Sequence, residues 1–191
     1  MSRVDEILDF WFGKPDVASY GKKMSYWFSK KLEFDQEIRN RFLADYEQAA
    51  TGKLDDWKES PRSCLALILL LDQFPRNMFR GTAQAFATDS QALSAAQHAV
   101  ANGFDKELLN IQRLFVYLPF EHSENIEHQR QSVQLFAALG DDPYSATSLD
   151  YAIRHLWVIE RFGRFPHRNK LLGRETTPEE AEFLKQPGSS F

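Results

Sequence analysis

The chain is predicted to be all-α, a series of antiparallel helices stacked in sequence, and three observations carry that prediction. No segment sustains the alternation of apolar and polar residues that a half-buried strand requires. Apolar residues recur instead every three to four positions, as in Ile38, Phe42, Tyr46 and Ala49. Short turns separate the periodic stretches, and short turns join antiparallel helical neighbours.

Arg3 to Phe12 places Ile7, Leu8, Phe10, Trp11 and Phe12 on an amphipathic helix stopped by Gly13 and Pro15. After the aromatic segment Tyr26, Trp27 and Phe28, Asp35 is the expected cap of a second helix that ends before Gly52. Ser60 and Pro61 make a helix start, serine at the cap and proline in the first turn. They lead into Cys64 to Leu71, the longest purely apolar run, which marks a core helix buried on every side. Pro75 is expected to end that helix. Asp89 caps the next helix, closed by Gly103, and Asp105 opens another that carries Leu108, Leu109, Gln112, Phe115 and Val116. Pro119 interrupts it, and the pattern resumes through Ile126, Val133, Phe136 and Ala137 to Gly140. Asp141-Asp142-Pro143 reads as a turn. Tyr144 to Phe162 is a long helix with Leu149, Ile153, Leu156, Trp157 and Ile159 inward, and Gly163 closes it. Thr177-Pro178-Glu179-Glu180 is a capping box that opens a short last helix, after which residues 186–191 are expected to fray.

With 191 residues, the chain is expected to form one domain, residues 1–191. Sixteen phenylalanines and four tryptophans supply the large side chains of a packed core. The balance of 23 basic against 27 acidic residues argues against a general nucleic-acid binder. No apolar segment has the form of a signal peptide or the length of a bilayer span, so a soluble, cytoplasmic protein is expected, with no membrane partner. Cys64 is the one cysteine, and its place in the apolar run makes it an inert buried hydrophobe.

Polar groups gather where buried helices end. Arg76, Asn77 and Arg80 follow the core helix, and Arg161, Arg164, Arg168, Asn169 and Arg174 lie near the C-terminus. Guanidinium forks suit carboxylate or phosphate, so these residues are candidates for an anion site. The competing reading is a network that locks helix ends, with Asp72, Asp89 and Glu160 as partners. A second group is Glu121, His122, Ser123, Glu124, Glu127 and His128. On a continuous helix Glu121, Glu124 and His128 would share one stripe, able to hold a metal or to act as acid and base. The Glu-x-x-His spacing of helical di-metal sites is missing, however, and no metal is expected. His122 and Glu124 either satisfy the turn broken by Pro119 or project into a pocket opened there. No Gly-rich phosphate loop or Gly-x-Ser-x-Gly elbow is present, and no cofactor is expected. Phe74-Pro75-Arg76-Asn77 is echoed by Phe165-Pro166-His167-Arg168-Asn169, and the two segments are expected to build one anion site with His122 and Glu124.

The stretches LLLDQFPRNMFRGTAQAFATD, YLPFEHSE, IERFGRFPHRN and LGRETTPEE, with ILDFWFG at the start, resemble the bacterial family called domain of unknown function 924. The resemblance covers nearly the whole chain. It implies a right-handed α/α superhelix like that of tetratricopeptide repeats, although the repeat consensus is absent here. It implies no established activity, cofactor or partner. The family-like positions are Asp72, Gln73, Pro75, Arg76, Asn77, Arg80, His122, Ser123, Glu124, Arg161, Arg164, Pro166, His167, Arg168 and Asn169. Glu121 departs from the family pattern, where an apolar residue is expected.

Three functions fit these features. The preferred one is a helical binding protein that holds a small anion or acidic peptide on a surface lined by Arg76, Asn77, Arg80, Arg161, Arg164, Arg168 and Asn169. The second is an enzyme using His122 or His167 as acid or base, Glu124 as orienter and the arginines as clamps. The third is a scaffold in which the arginines and carboxylates only lock helix ends.

Overall fold

A computed structural model describes residues 1–140 and 143–190, so the predicted turn at Asp141 and Asp142 lies outside the described residues. Every regular element among them is helical, as predicted. The chain divides into two compact units, Met1–Arg80 with Gln84–Pro119 and Gly81–Ala83 with Phe120–Phe191.

In the first unit, α1 (Arg3–Phe12) starts with a capping box between Ser2 and Asp5 and buries Ile7, Leu8, Trp11 and Phe12. Its aromatic rings enter a cluster in which Trp11 lies 5.4 Å from Phe74, Phe12 5.3 Å from Phe115, and Phe42 5.0 Å from Phe74. Trp27 joins it at 4.8 Å from Phe115 and donates its indole N–H to the Trp11 carbonyl at 2.7 Å. α2 (Leu32–Ala50) begins three residues before Asp35, with Lys31 at the cap. Asp35 is therefore not the cap, and its carboxylate is free to pair with other side chains.

The apolar run is the core, as its composition predicts. α3 (Pro61–Ile68) has Ser60 as its cap and proline at its start, and Cys64 to Leu71 are all at most 3% exposed. Each buried leucine contributes roughly 1.5–3 kcal/mol of transfer free energy. Pro75 does not end this helix. The backbone widens into a π-turn at Leu69–Gln73, where the Phe74 N–H reaches the Leu69 carbonyl, and then continues as α4 (Phe74–Met78). The π-turn takes up the geometry that a proline imposes on the turn before it. Proline also leaves the Leu71 carbonyl without its usual donor, and the Thr88 hydroxyl donates to that oxygen at 2.6 Å. α5 (Asp89–Ala101) buries Ala92, Ala95, Ala96 and Ala99, small side chains that let it lie close against α3. The single thiol sits between them: Cys64 Sγ is 3.5 Å from the Ala95 carbonyl, and burial pushes its pKa up to about 11. It stays a protonated thiol and serves as packing.

α6 (Asn110–Glu121) runs through Pro119, and its last two residues count with the second unit. The break predicted at the proline falls instead at residues 122–125. α7 (Ile126–Ala137) restarts with the Asn125 side chain accepting from the N–H groups of Glu127 and His128. α8 (Pro143–Phe162) packs along α7 and ends at Gly163. That glycine takes φ 69°, a left-handed conformation suited to glycine, and its N–H closes on the Ile159 carbonyl at 2.8 Å. The predicted inner faces of both helices need correction. α7 buries Gln129, Ser132 and Phe136 rather than Val133 and Ala137. α8 buries Ala152, His155, Val158 and Ile159, while Ile153 and Trp157 are about half exposed. α9 (Pro178–Phe183) opens on the predicted capping box of Thr177 and Glu180. Val158, Ile159, Phe165 and Phe183 form the apolar core of this unit, flanked by Ile126 and Phe162. Beyond α9 the chain turns back, and the buried Ser189 donates its hydroxyl to the Leu184 carbonyl. No helix among the described residues is long and apolar enough to cross a membrane.

Candidate functional site

In the first unit the predicted arginines have carboxylate partners. Arg76 forks onto Asp89 at 2.9 and 3.2 Å, lies 3.4 Å from Asp72, and donates to the Asp72 carbonyl. Burial opposes its charge, but Asp72 and Asp89 outweigh that and hold its pKa above the ordinary arginine value. Arg80 forks onto both oxygens of Asp35 at 2.7 Å, and Asn77 donates to the same carboxylate at 2.7 Å. The fully buried Asp72 also accepts from Gln73 at 2.6 Å. Arg76, Asn77 and Arg80 are therefore members of an ion-pair network around Asp35, Asp72 and Asp89. Such a network fixes the exit of the core helix.

Arginines of the second unit form a similar frame with different acids from those predicted. Arg161 pairs with Glu179 at 2.9 Å, and Arg164 forks onto Glu180 at 2.7 and 2.9 Å. Arg174 forks onto Glu124 at 2.6 and 3.0 Å and also reaches the Phe165 carbonyl and Asn169 Oδ1. Asn169 is fully buried and donates to Glu180 at 3.2 Å. Arg164 holds the Glu180 carboxyl down to about 2. Burial opposes the charge of Glu124, yet hydrogen bonds from Arg174 and the Phe165 N–H keep its pKa below the ordinary carboxylate value. Glu160, the acid expected at this end, is exposed. Arg164 and Arg174 also line an open cleft of about 530 Å³ with Glu175, Thr176, Thr177 and Pro178.

Inside that frame lies a cluster of a different kind, centred on the fully buried ring of Phe165. The Arg168 guanidinium carbon is 4.6 Å from the ring centroid, the His155 ring 5.5 Å and the His167 ring 5.7 Å. Arg168 is 6% exposed and His155 4%. His155 Nδ1 is 2.8 Å from the Tyr151 carbonyl, which can only accept, so Nδ1 carries the ring proton. The same nitrogen lies 3.2 Å from Glu121 Oε1. A neighbouring carboxylate favours an imidazolium, but here the ring is neutral, its pKa driven down to about 3. Burial is the main cause, opposed by the Tyr151 carbonyl and reinforced by the positive fields of His122, Arg168 and His167.

The predicted stripe of Glu121, Glu124 and His128 does not exist as one helical face, because residues 122–125 leave the helix. Glu121 turns inward to His155, Glu124 reaches Arg174 and Phe165, and His128 Nδ1 and the Ser123 hydroxyl share a hydrogen bond at 2.9 Å. Among the described residues no group of three or more His, Cys, Asp or Glu is arranged to hold a metal ion. Of the predicted residues, His122, His167 and Arg168 belong to the imidazole–guanidinium cluster, whereas Glu124 belongs to the frame. His155, Gln129 and Ser132 were missed, because each occupies an inward position that apolar periodicity assigns to other residues. The polar interruption of an otherwise apolar stripe, His155 between Ala152 and Val158, was the available signal.

Fold and site together define, among the described residues, an all-helical protein with a carboxylate-locked arginine network in each unit and a buried imidazole–guanidinium cluster in the second. A family model described as a bacterial protein of unknown function, DUF924, matches residues 7–188, and the chain belongs to that family. A solved structure described as a protein of unknown function, ATU0120, from Agrobacterium tumefaciens is 44% identical in sequence. It superposes with a TM-score of 0.84 over 95% of this chain and 96% of that one. No curated protein matches the chain.

Proposed function

We propose that the second unit is a binding module for a small anion, a carboxylate or phosphate group, held at the cluster around Phe165. The observation that carries this reading is the convergence of Arg168, His155 and His167 on one buried ring, with the field of His122 added. Positive groups are gathered there beside Glu121 and Glu124, and burial, with the fields of His122, Arg168 and His167 added, keeps His155 neutral, where a free imidazole would be half protonated near pH 6.5. Negative charge at that place relieves the repulsion. Arg168 supplies the permanent cation and the fork that suits an oxyanion, and His167 and His122 supply ring N–H donors. The frame of Arg164, Arg174, Glu124 and Glu180 keeps the loop that carries Arg168 in place. An acidic peptide would enter by the same chemistry, with one side-chain carboxylate as the anchoring group.

Thermal melts in phosphate and in chloride at equal ionic strength test the reading. A ligand present at a hundred times its dissociation constant adds about 2.7 kcal/mol of stability. The melting temperature is expected to rise with phosphate, and the rise to vanish in Arg168→Gln and shrink in His167→Gln. Melting indifferent to phosphate, to acetate and to an acidic peptide contradicts the proposal.

A further inference from the structure

The open cleft of about 530 Å³ in the second unit is lined by Arg164, Arg174, Glu175, Thr176, Thr177 and Pro178. Small-molecule sites span about 300–1,000 Å³, so the space suits a compact ligand. Its lining is held in place. Arg164 commits Nε and Nη2 to Glu180, and Nη2 also donates to the Glu175 carbonyl at 2.8 Å. Arg174 is fixed by Glu124, the Phe165 carbonyl and Asn169. The Thr177 N–H donates to Glu180 at 2.8 Å. A ligand therefore meets a wall that is already ordered, which lowers the entropic cost of binding.

Among the described residues, three kinds of group in this lining keep unused capacity. Arg164 Nη1 has no partner, although the other two nitrogens of that side chain do. Thr176 Oγ1 accepts from Asn169 at 3.4 Å and Thr177 Oγ1 from the Glu180 N–H at 3.2 Å, so each hydroxyl keeps its proton to donate. The Glu175 side chain is exposed, and its carboxylate has no partner. Glu180 balances Arg164 and Glu124 balances Arg174, which leaves the charge of Glu175 in excess. A bare anion at Arg164 would meet Glu175, whose backbone is bonded to that guanidinium. A bare cation at Glu175 would meet Arg164 for the same reason. A ligand that carries both charges satisfies both groups.

We infer that the cleft is a second binding site of this unit, for a small zwitterion of the α-amino acid class. Its carboxylate lies at Arg164 Nη1 with a threonine hydroxyl beside it, and its ammonium lies at Glu175. This site is independent of the anion reading above, which rests on Arg168 and the histidines around Phe165.

Calorimetric titration with alanine and leucine, and with N-acetylalanine and alaninamide, tests the inference. N-acetylalanine lacks the ammonium and alaninamide lacks the carboxylate, so each offers one charge. Alanine is expected to bind at least about tenfold tighter than either, since each loses a hydrogen bond between charged groups. Glu175→Gln removes a carboxylate that has no protein partner, so the variant is expected to fold normally. In that variant the affinity for alanine is expected to fall to that for N-acetylalanine. Equal affinities for alanine and N-acetylalanine in the parent overturn the zwitterion assignment. A preference for alanine that survives Glu175→Gln overturns the placement in this cleft. Failure of both alanine and leucine to bind overturns the inference as a whole, and phosphate binding that depends on Arg168 still decides the anion reading separately.

Discussion

The two Phe-Pro segments differ by one inserted histidine, and they lie in different local structures. Phe74-Pro75-Arg76-Asn77 lies inside a helix, continued through its proline by a π-turn. Phe165-Pro166-His167-Arg168-Asn169 lies in a short 3₁₀ turn after a glycine has ended α8. In the first segment both Arg76 and Asn77 point at carboxylates, and with Arg80 they meet Asp35, Asp72 and Asp89. In the second, the arginine lies over the phenylalanine of its own motif with imidazoles as neighbours. A motif alone therefore does not make a site. The surroundings differ: Arg76 and Asn77 meet carboxylates directly, whereas Arg168 lies over Phe165 beside imidazoles and near enough to Glu124 to favour its charged form.

The difference can be broken most forcefully at Arg76. Arg76→Ala leaves Asp72 buried without its cation and is expected to cost about 3–5 kcal/mol. Urea denaturation measures it, and a loss below about 1 kcal/mol would mean that the first segment is not a structural network. Leu69→Ala, which truncates the helix that carries that segment, is expected to cost about 2–5 kcal/mol. A smaller effect, about 1–3 kcal/mol, is expected for Thr88→Val, which removes the donor to the Leu71 carbonyl. The double variant Pro75→Ala/Thr88→Val restores a backbone donor and is expected to be less damaged than the sum of the two single changes.

The second unit has a pH signature of its own. His155 is neutral when folded down to about pH 3, whereas an unfolded histidine takes a proton near pH 6.5. As pH falls from about 6.5 towards 3, the unfolded state binds a proton that the native state refuses, so stability falls. The slope approaches about 1.4 kcal/mol per pH unit. Denaturation between pH 6.5 and 5 avoids the low-pH titration of Glu124 and Glu180, and His155→Asn is expected to remove this part of the slope. An unchanged slope would mean that the folded protein takes up a proton on His155 and that burial does not hold the ring neutral.

Most of the fold was legible because periodicity, caps and glycines are local signals. The core run, the Ser60 start and the Thr177 capping box stand where the sequence places them. The two prolines misled for a common reason: whether a proline ends a helix depends on nearby donors and on slack in the preceding turn, which are tertiary facts. Thr88 is such a donor for Leu71, thirteen residues past Pro75. The site was half legible. His122, His167 and Arg168 stood out as polar residues beside breaks, but His155, Gln129 and Ser132 lie inside regular helices. Nothing local separates a buried polar residue there from an exposed one. Glu121 departs from the family pattern, and it is the residue that links α7 to His155.

The central claim is that the two segments differ in what they hold, an internal network in one unit and an external anion in the other. Calorimetric titration of phosphate into the parent, Arg80→Gln and Arg168→Gln proteins measures this directly. Arg80 is the control because it is partly exposed, and in its absence Asp35 still accepts from Asn77. The account predicts parent-like affinity for Arg80→Gln and at least about tenfold weaker binding for Arg168→Gln, since a charged hydrogen bond contributes about 1.5–3 kcal/mol. Equal losses in the two variants, or undiminished binding by Arg168→Gln, would contradict it.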